Sequence, residues 1–248
     1  MNAFEDKFKM KRENIINSNV SVAAKAYVME VYNSEGVQYT LENPYMKIMG
    51  LLLVKSSTPK VIRDALRDAL PIMLHGTESQ MHDYIVQQRE NYKNFTVEEI
   101  AFPRGITNLK KYDPAAVKKA IPLMNSDDAA KAQKALEAGT DVYVGGTPIH
   151  ARASLIHNQL IDKLKLNGER TKITDGDKVK FVYLRTPNPL HEDVIAFQDT
   201  LPEQFGVREY VDYDKMFEKT FLSALQKMIE PLHWETEKKN TLEDWFTF

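Results

Sequence analysis

The chain has 248 residues, 43% of them hydrophobic, enough to bury a sizeable core in one large or two modest domains. A formal net charge of −2 excludes bulk basicity as a means of holding nucleic acid, and the absence of cysteine excludes disulfides, thiolate catalysis and cysteine-based zinc sites. No apolar run approaches the roughly 18 residues of a membrane-spanning helix, and the opening Met1-Asn2-Ala3-Phe4-Glu5-Asp6 is unlike a secretory signal, so a cytoplasmic location without membrane association is expected.

Residues 7–16 alternate polar and apolar positions and predict a strand, broken by Asn17-Ser18-Asn19, with Val20-Ser21-Val22-Ala23-Ala24 as the connection that follows. Residues 25–32 predict a second strand, with Tyr27, Met29 and Val31 on one face and Val28, Glu30 and Tyr32 on the other. Asn33-Ser34-Glu35-Gly36 is a hairpin-type turn, Val37-Gln38-Tyr39 begins the return, and Lys47-Ile48-Met49-Gly50 ends a further buried run. Ser57 or Thr58 can cap a helix with Pro59 in its first turn; Ile62, Leu66 and Ala69 then share one helical face. A helical hairpin over 59–75 and 78–93 breaks at His75-Gly76-Thr77, with Pro71 as a kink and Thr77 as a cap. Residues 96–102 predict a short strand that Pro103-Arg104-Gly105 ends.

Residues 114–139 are rich in Ala and Lys and favour helix, capped at Ser126-Asp127-Asp128 and stopped at Gly139. Pro148 opens an amphipathic helix through Lys165, with Ile149, Ala153, Ile156, Leu160 and Leu164 on its stripe. Asp175-Gly176-Asp177 turns into a strand over 178–184, Thr186-Pro187-Asn188-Pro189 ends it, and 193–197 supplies another. Asp212-Tyr213-Asp214 caps a helix over 215–229, and a charged stretch leads to Leu242-Glu243-Asp244-Trp245-Phe246-Thr247-Phe248. The pattern is α+β: a sheet at the start, then a mainly helical region with a small β part.

The order Lys25-Ala26-Tyr27, Lys47-Ile48-Met49-Gly50 and Ser56-Ser57-Thr58-Pro59-Lys60 resembles the palm–thumb junction of family B DNA polymerases of the T-even-like phage replicative type. Lys111-Tyr112-Asp113, Pro148-x-His150-x-Arg152, Gly176-Asp177-Lys178-Val179 and Asn188-Pro189 resemble that family's thumb, and the 114–146 stretch departs from it as an insertion. The resemblance implies the end of an antiparallel palm sheet over 1–53, a thumb over 54–240 and a clamp-binding tail over 241–248. It implies primer–template DNA and a sliding clamp as partners. Lys25 and Tyr27 would meet the primer terminus through minor-groove acceptors and phosphate, Lys47, Ser57, Thr58 and Lys60 would meet phosphate near a helix start, and Lys111, His150 and Arg152 would lie near the duplex backbone. Leu242, Trp245, Phe246 and Phe248 would dock on the clamp as one apolar helical turn.

Polymerase chemistry needs carboxylates that hold two divalent metals about 4 Å apart, and the family carries one in an Asp-Thr-Asp hairpin. The chain has no Asp-Thr-Asp, and its close acidic pairs, Asp127-Asp128, Asp175-x-Asp177 and Asp212-x-Asp214, read as caps or turns. A nucleotide-binding helix of the Lys-x-x-x-Asn-Ser-x-Tyr-Gly type and the exonuclease motifs are also missing. Either the chain is a truncated piece of a longer polymerase or, if Met1 is a natural start, the polymerase is split. A partner N-terminal chain would then supply the metal-binding aspartates, fingers and exonuclease, and would bind the Mg2+, with no cofactor and no catalytic residue expected in this chain. Residues 1–60 carry eight Lys/Arg against six Asp/Glu, so any DNA contact rests on the placement of a few cations. His75, His82, His157, His191 and His233 lack metal-ligand spacing. A different class of reading is a stand-alone DNA- or clamp-binding regulatory module without polymerase activity.

Overall fold

The computed structural model describes residues 13–40, 42–113 and 147–238, together with positions 118, 127, 129, 130, 133 and 134. Two compact units emerge: residues 1–58, 62–91 and 221–248 in the first, 59–61 and 92–220 in the second. The architecture is mixed, with antiparallel sheets and several helices, in keeping with the α+β expectation.

The first unit is built on a four-stranded antiparallel sheet in which β2 (Ala26–Ser34) is central. β1 (Asn14–Ala23) pairs with it on one side, and β3 (Val37–Gln38) and β4 (Tyr45–Met49) on the other. Contrary to expectation, Asn17-Ser18-Asn19 does not end β1; the strand runs through it and through the supposed connection to Ala23. Register shifts at Ile15/Ile16 and Ile16/Ser18 absorb the polar run. The Asn17 amide donates to Glu30 at 2.8 Å and the Ser18 hydroxyl to the Leu74 carbonyl at 3.4 Å. Cross-strand partners override weak strand propensity here. The 33–36 turn is present as read: Glu35 and Gly36 both have positive φ, 53° and 95°, as a two-residue hairpin loop requires. Val28 and Val31 are both fully buried, although they lie on opposite sides of the expected alternation, so neither face of β2 is open to solvent along its whole length.

After β4 the chain enters α1 (Lys60–Asp68), and α2 (Leu70–His75) follows with Pro71 in its first turn. Proline has no N–H to continue α1, so the kink falls where the sequence placed it. α3 (Glu78–Tyr92) begins in a reciprocal cap: Thr77 N–H donates to Gln80 Oε1 at 2.9 Å and Gln80 N–H to Thr77 Oγ1 at 3.4 Å. Leu53, Ile62, Leu66 and Met81 lie in the buried core of this unit.

In the second unit the strand expected over 96–102 is instead α4 (Val97–Ile100) followed by β5 (Phe102–Gly105). Thr96 and Glu99 form a capping box, with Thr96 N–H donating to Glu99 Oε2 at 2.8 Å, and this local signature outweighs the β-branched composition. Pro103-Arg104-Gly105 lies within β5 rather than stopping it. Proline is tolerated because β5 is an edge strand in the order β5-β6-β7, where β6 is Lys178–Tyr183 and β7 is Val194–Phe197. The expected amphipathic helix is α5 (Ile149–Lys163); it lies on β7, all four of whose residues are buried. Residues 213–229 form α6 (Tyr213–Phe217), a π turn (Glu218–Leu222) and α7 (Ser223–Ile229), of which the residues from Phe221 onward belong to the first unit; Asp212 caps α6 by accepting from Lys215 N–H at 2.9 Å. The helix expected over 114–139 lies almost wholly outside the described residues, as do positions 7–12 of the first predicted strand.

Candidate nucleic-acid interface

Lys25 lies in the tight turn between β1 and β2, exposed, rather than in the strand itself, which starts at Ala26. Tyr27 pairs with Ser21 on one side and Met49 on the other, and Met29 pairs with Asn19 and Lys47. Directly opposed residues of an antiparallel sheet point to the same face. Tyr27, Met29, Lys47 and Met49 therefore share one face, so the register brings together a phenol and an ammonium predicted from separate motifs. Among the described residues neither Lys25 nor Lys47 makes an ion pair.

The carboxylate of this region lies on the other face. Burial pushes the Glu30 carboxyl up, but hydrogen bonds from Asn17 and from His75, at 3.0 Å, outweigh it and hold it below the usual range. The acid thus stays charged and tied, and does not oppose the cations across the sheet.

Of the helix-start residues, Thr58 is buried, Ser57 is half-buried and Lys60 is exposed in the first turn of α1. α1 starts at Lys60, with Pro59 just before it, and has no acidic residue in its first turn, so its positive dipole end is not offset locally.

The second unit holds a distinct cluster at the start of α5. His150 and Arg152 lie there with Arg104 of β5, Tyr183 of β6, and Lys215 and Lys219 of the 213–222 segment. The Lys215 ammonium is 4.7 Å from the Tyr183 ring centroid. Burial, with the Asp193 charge, pushes the Tyr183 phenol up, and Lys219, Arg104 and Arg152 pull the other way. Burial, then the Arg104 charge, pushes His150 down, so its imidazole is neutral. Arg152 is bound by two carboxylates, Glu192 at 3.2 Å and Asp193. Lys111, in a short turn over Leu109–Tyr112, is exposed, with its ammonium 5.6 Å from the Tyr112 ring centroid.

Arg104, Tyr183, Lys215 and Lys219 were missed by the sequence reading. Arg104 had been placed in a strand stop, and only the β5–β6 register, with Arg104 opposite Val179, sets it beside the others. Two of the three acidic pairs behave as caps and turns: Asp175 accepts from Leu109 N–H at 2.7 Å, Asp177 accepts from Thr174 N–H at 2.7 Å and Asp212 caps α6, while the Asp127-Asp128 pair reaches outside the described residues. Among the described residues no group of three or more His, Cys, Asp or Glu could hold a metal ion. Buried His157 is a structural group, one ring nitrogen 2.9 Å from the Ala196 carbonyl and the other 3.3 Å from that of Thr171. No helix among the described residues is long and apolar enough to cross a membrane. The tail residues Leu242, Trp245, Phe246 and Phe248 lie outside the described residues.

No known protein-family model matches the chain. Over 235 residues, 90% of its length, it is 28% identical to the DNA-directed DNA polymerase of Escherichia phage RB69. Over 225 residues, 89% of its length, it is 26% identical to the DNA-directed DNA polymerase of Enterobacteria phage T4. In both cases the match covers 22% of the relative. The chain is similar to a part of phage DNA polymerases and spans about a fifth of their length.

Proposed function

We propose that the chain is the C-terminal, palm-end and thumb portion of a family B replicative DNA polymerase of the T-even-like phage type, acting in the host-cell cytoplasm as one half of a split enzyme. Residues 1–53 finish the palm sheet, 54–240 form the thumb and 241–248 tether the enzyme to a sliding clamp. Its own task is to grip primer–template duplex, through Lys25, Tyr27, Lys47, Ser57, Lys60, Lys111, His150 and Arg152; Thr58, expected among them, is buried and can help only by shaping the helix start. The partner N-terminal chain supplies the metal-binding aspartates, with their Mg2+, the fingers and the exonuclease.

The observation that carries this reading is the shared face of Tyr27 and Lys47 beside the Lys25 turn, in a chain similar to phage polymerases over nine-tenths of its length. A sheet face that offers ammonium and phenol groups can hold duplex without bulk basicity. The far end of the same sheet supports the need for a partner. Ile15, Ile16 and Tyr45 are 45%, 38% and 43% exposed and lie opposite Asn33 and Val31 on one face of β2, an apolar patch that suits protein contact. We assign it to the polypeptide that carries the remaining domains.

Primer extension tests the reading. The full chain alone should incorporate no nucleotide, and adding the N-terminal chain should restore synthesis; incorporation by the isolated chain would overturn the proposal. For the tail, deleting residues 242–248 should abolish clamp-stimulated processivity while sparing distributive synthesis, and unchanged clamp stimulation would remove that assignment.

A further inference from the structure

We propose that Gly50 is the positioning residue for the duplex contact at Lys25: its bare Cα lets the Lys25 turn close against the end of β4. The inference rests on the duplex-binding reading of Lys25 above. Gly50 follows the Tyr27–Met49 pair, the last of the β2–β4 ladder, and precedes buried Leu51. Its φ of +69° belongs to the left-handed region that side chains disfavour. A Cβ at this position would overlap the Lys25 carbonyl oxygen and stand 3.0 Å from the Lys25 carbonyl carbon and the Ala26 Cα. All of these are backbone atoms, so no rotamer change relieves the contact. The chain cannot swing outward either, because Met49 is held in the ladder and Leu51 in the core. The turn that presents Lys25 must therefore move if Gly50 gains a side chain. Gly36, at the other end of β2, is the internal control. Its φ is also positive, at +95°, yet a Cβ there meets nothing within 4 Å.

The test is the salt dependence of binding between the full chain and a fluorescent primer–template duplex. Loss of one lysine–phosphate contact lowers the slope of log affinity against log salt by about 1, which reads as about a 4-fold difference in affinity change between 50 and 200 mM salt. Lys25→Ala and Gly50→Ala should each lower the slope by that amount, and Gly50→Ala should change nothing further in the Lys25→Ala background. Gly36→Ala should keep the wild-type slope even if it lowers the melting temperature. Should Gly50→Ala fail to fold, inserting one glycine between Ala24 and Lys25 lifts the turn off an intact Gly50 and should lower the slope equally. A wild-type slope for Gly50→Ala, or for the insertion, would overturn the inference, as would additive losses in the double variant. A wild-type slope for Lys25→Ala would instead remove the duplex reading of Lys25 and take the inference with it.

Discussion

The two units hold their charges in different ways. On the first, apart from the exposed Arg67–Asp64 pair on α1, Lys25 and Lys47 are presented by a turn and a strand, and the nearby acid, Glu30, is tied on the opposite face by Asn17 and His75. On the second, cations and acids interlock: Arg152 with Glu192 and Asp193, Lys219 with Glu218, Arg208 with Glu98. A presented cation leaves its charge for a ligand, whereas a paired one spends part of it on the fold. Stability should therefore respond most to substitutions in the second unit, and the salt dependence of DNA binding to substitutions in the first.

The largest effect is expected at Glu98. Its carboxylate accepts from Arg208 at 2.8 Å and 3.3 Å and from Leu201 N–H at 3.1 Å. Burial pushes the carboxyl up, but these bonds outweigh it and hold it below its ordinary 4.5. Glu98→Gln should cost about 2 kcal/mol, toward the low end for charged hydrogen bonds because Arg208 is partly exposed, or roughly 4–8 °C in melting temperature for a chain of this size. The sign with pH follows from the lowered folded-state value. Glu98 stabilises the fold above its unfolded pKa and loses that contribution as pH falls from 4.5 through the folded value. The gap between wild type and variant should accordingly narrow below pH 4.5 in urea unfolding, and a gap that widens with acid would contradict the assignment.

Those same long-range ties explain what the sequence made legible. Features set within a few residues were readable: the Glu35-Gly36 turn, the Pro71 break, the Thr77 and Asp212 caps, and the stripe of α5. Features set by distant partners were not. β1 persists through Asn17-Ser18-Asn19 because Glu30 and Leu74 receive those side chains, and β5 contains Pro103 because its outer edge needs no ladder bond. α4 is a different kind of miss, since Thr96-x-x-Glu99 was a visible cap signature passed over for strand composition. The site divides likewise: Tyr27 and Lys47 were found as motifs, but their common face needed the β2–β4 register, and the Arg104–Tyr183–Lys215 cluster needed the β5–β6 pairing.

Arg152 and Lys47 sharpen the comparison directly. Arg152→Ala strands two partly exposed carboxylates and should cost about 1 kcal/mol of stability. Because its charge is already compensated by Glu192 and Asp193, the salt slope should fall by less than it does in Lys47→Ala. Lys47→Ala should lower that slope by about 1, with a near-normal melting temperature. Equal slope losses from the two variants, measured on the same duplex, would erase the distinction between presented and paired cations.

The smallest effect tests the first unit from its other face. His75 reaches Glu30 from an exposed position, with about half of its side chain in solvent, so His75→Ala should cost only about 0.5 kcal/mol. Its signature lies in titration. Hydrogen bonds from Asn17 and His75 together hold the Glu30 carboxyl down against burial, so removing His75 should move that carboxyl back up toward 4.5 while the Asn17 bond limits the rise. Removing Arg208, the largest of the influences that lower Glu98, should raise the Glu98 carboxyl further than removing His75 raises Glu30. Carboxyl carbon NMR reads both shifts. A larger rise at Glu30 than at Glu98 would mean that the first unit too invests its charge in the fold, and the proposed duplex contacts of Lys25 and Lys47 would lose that support.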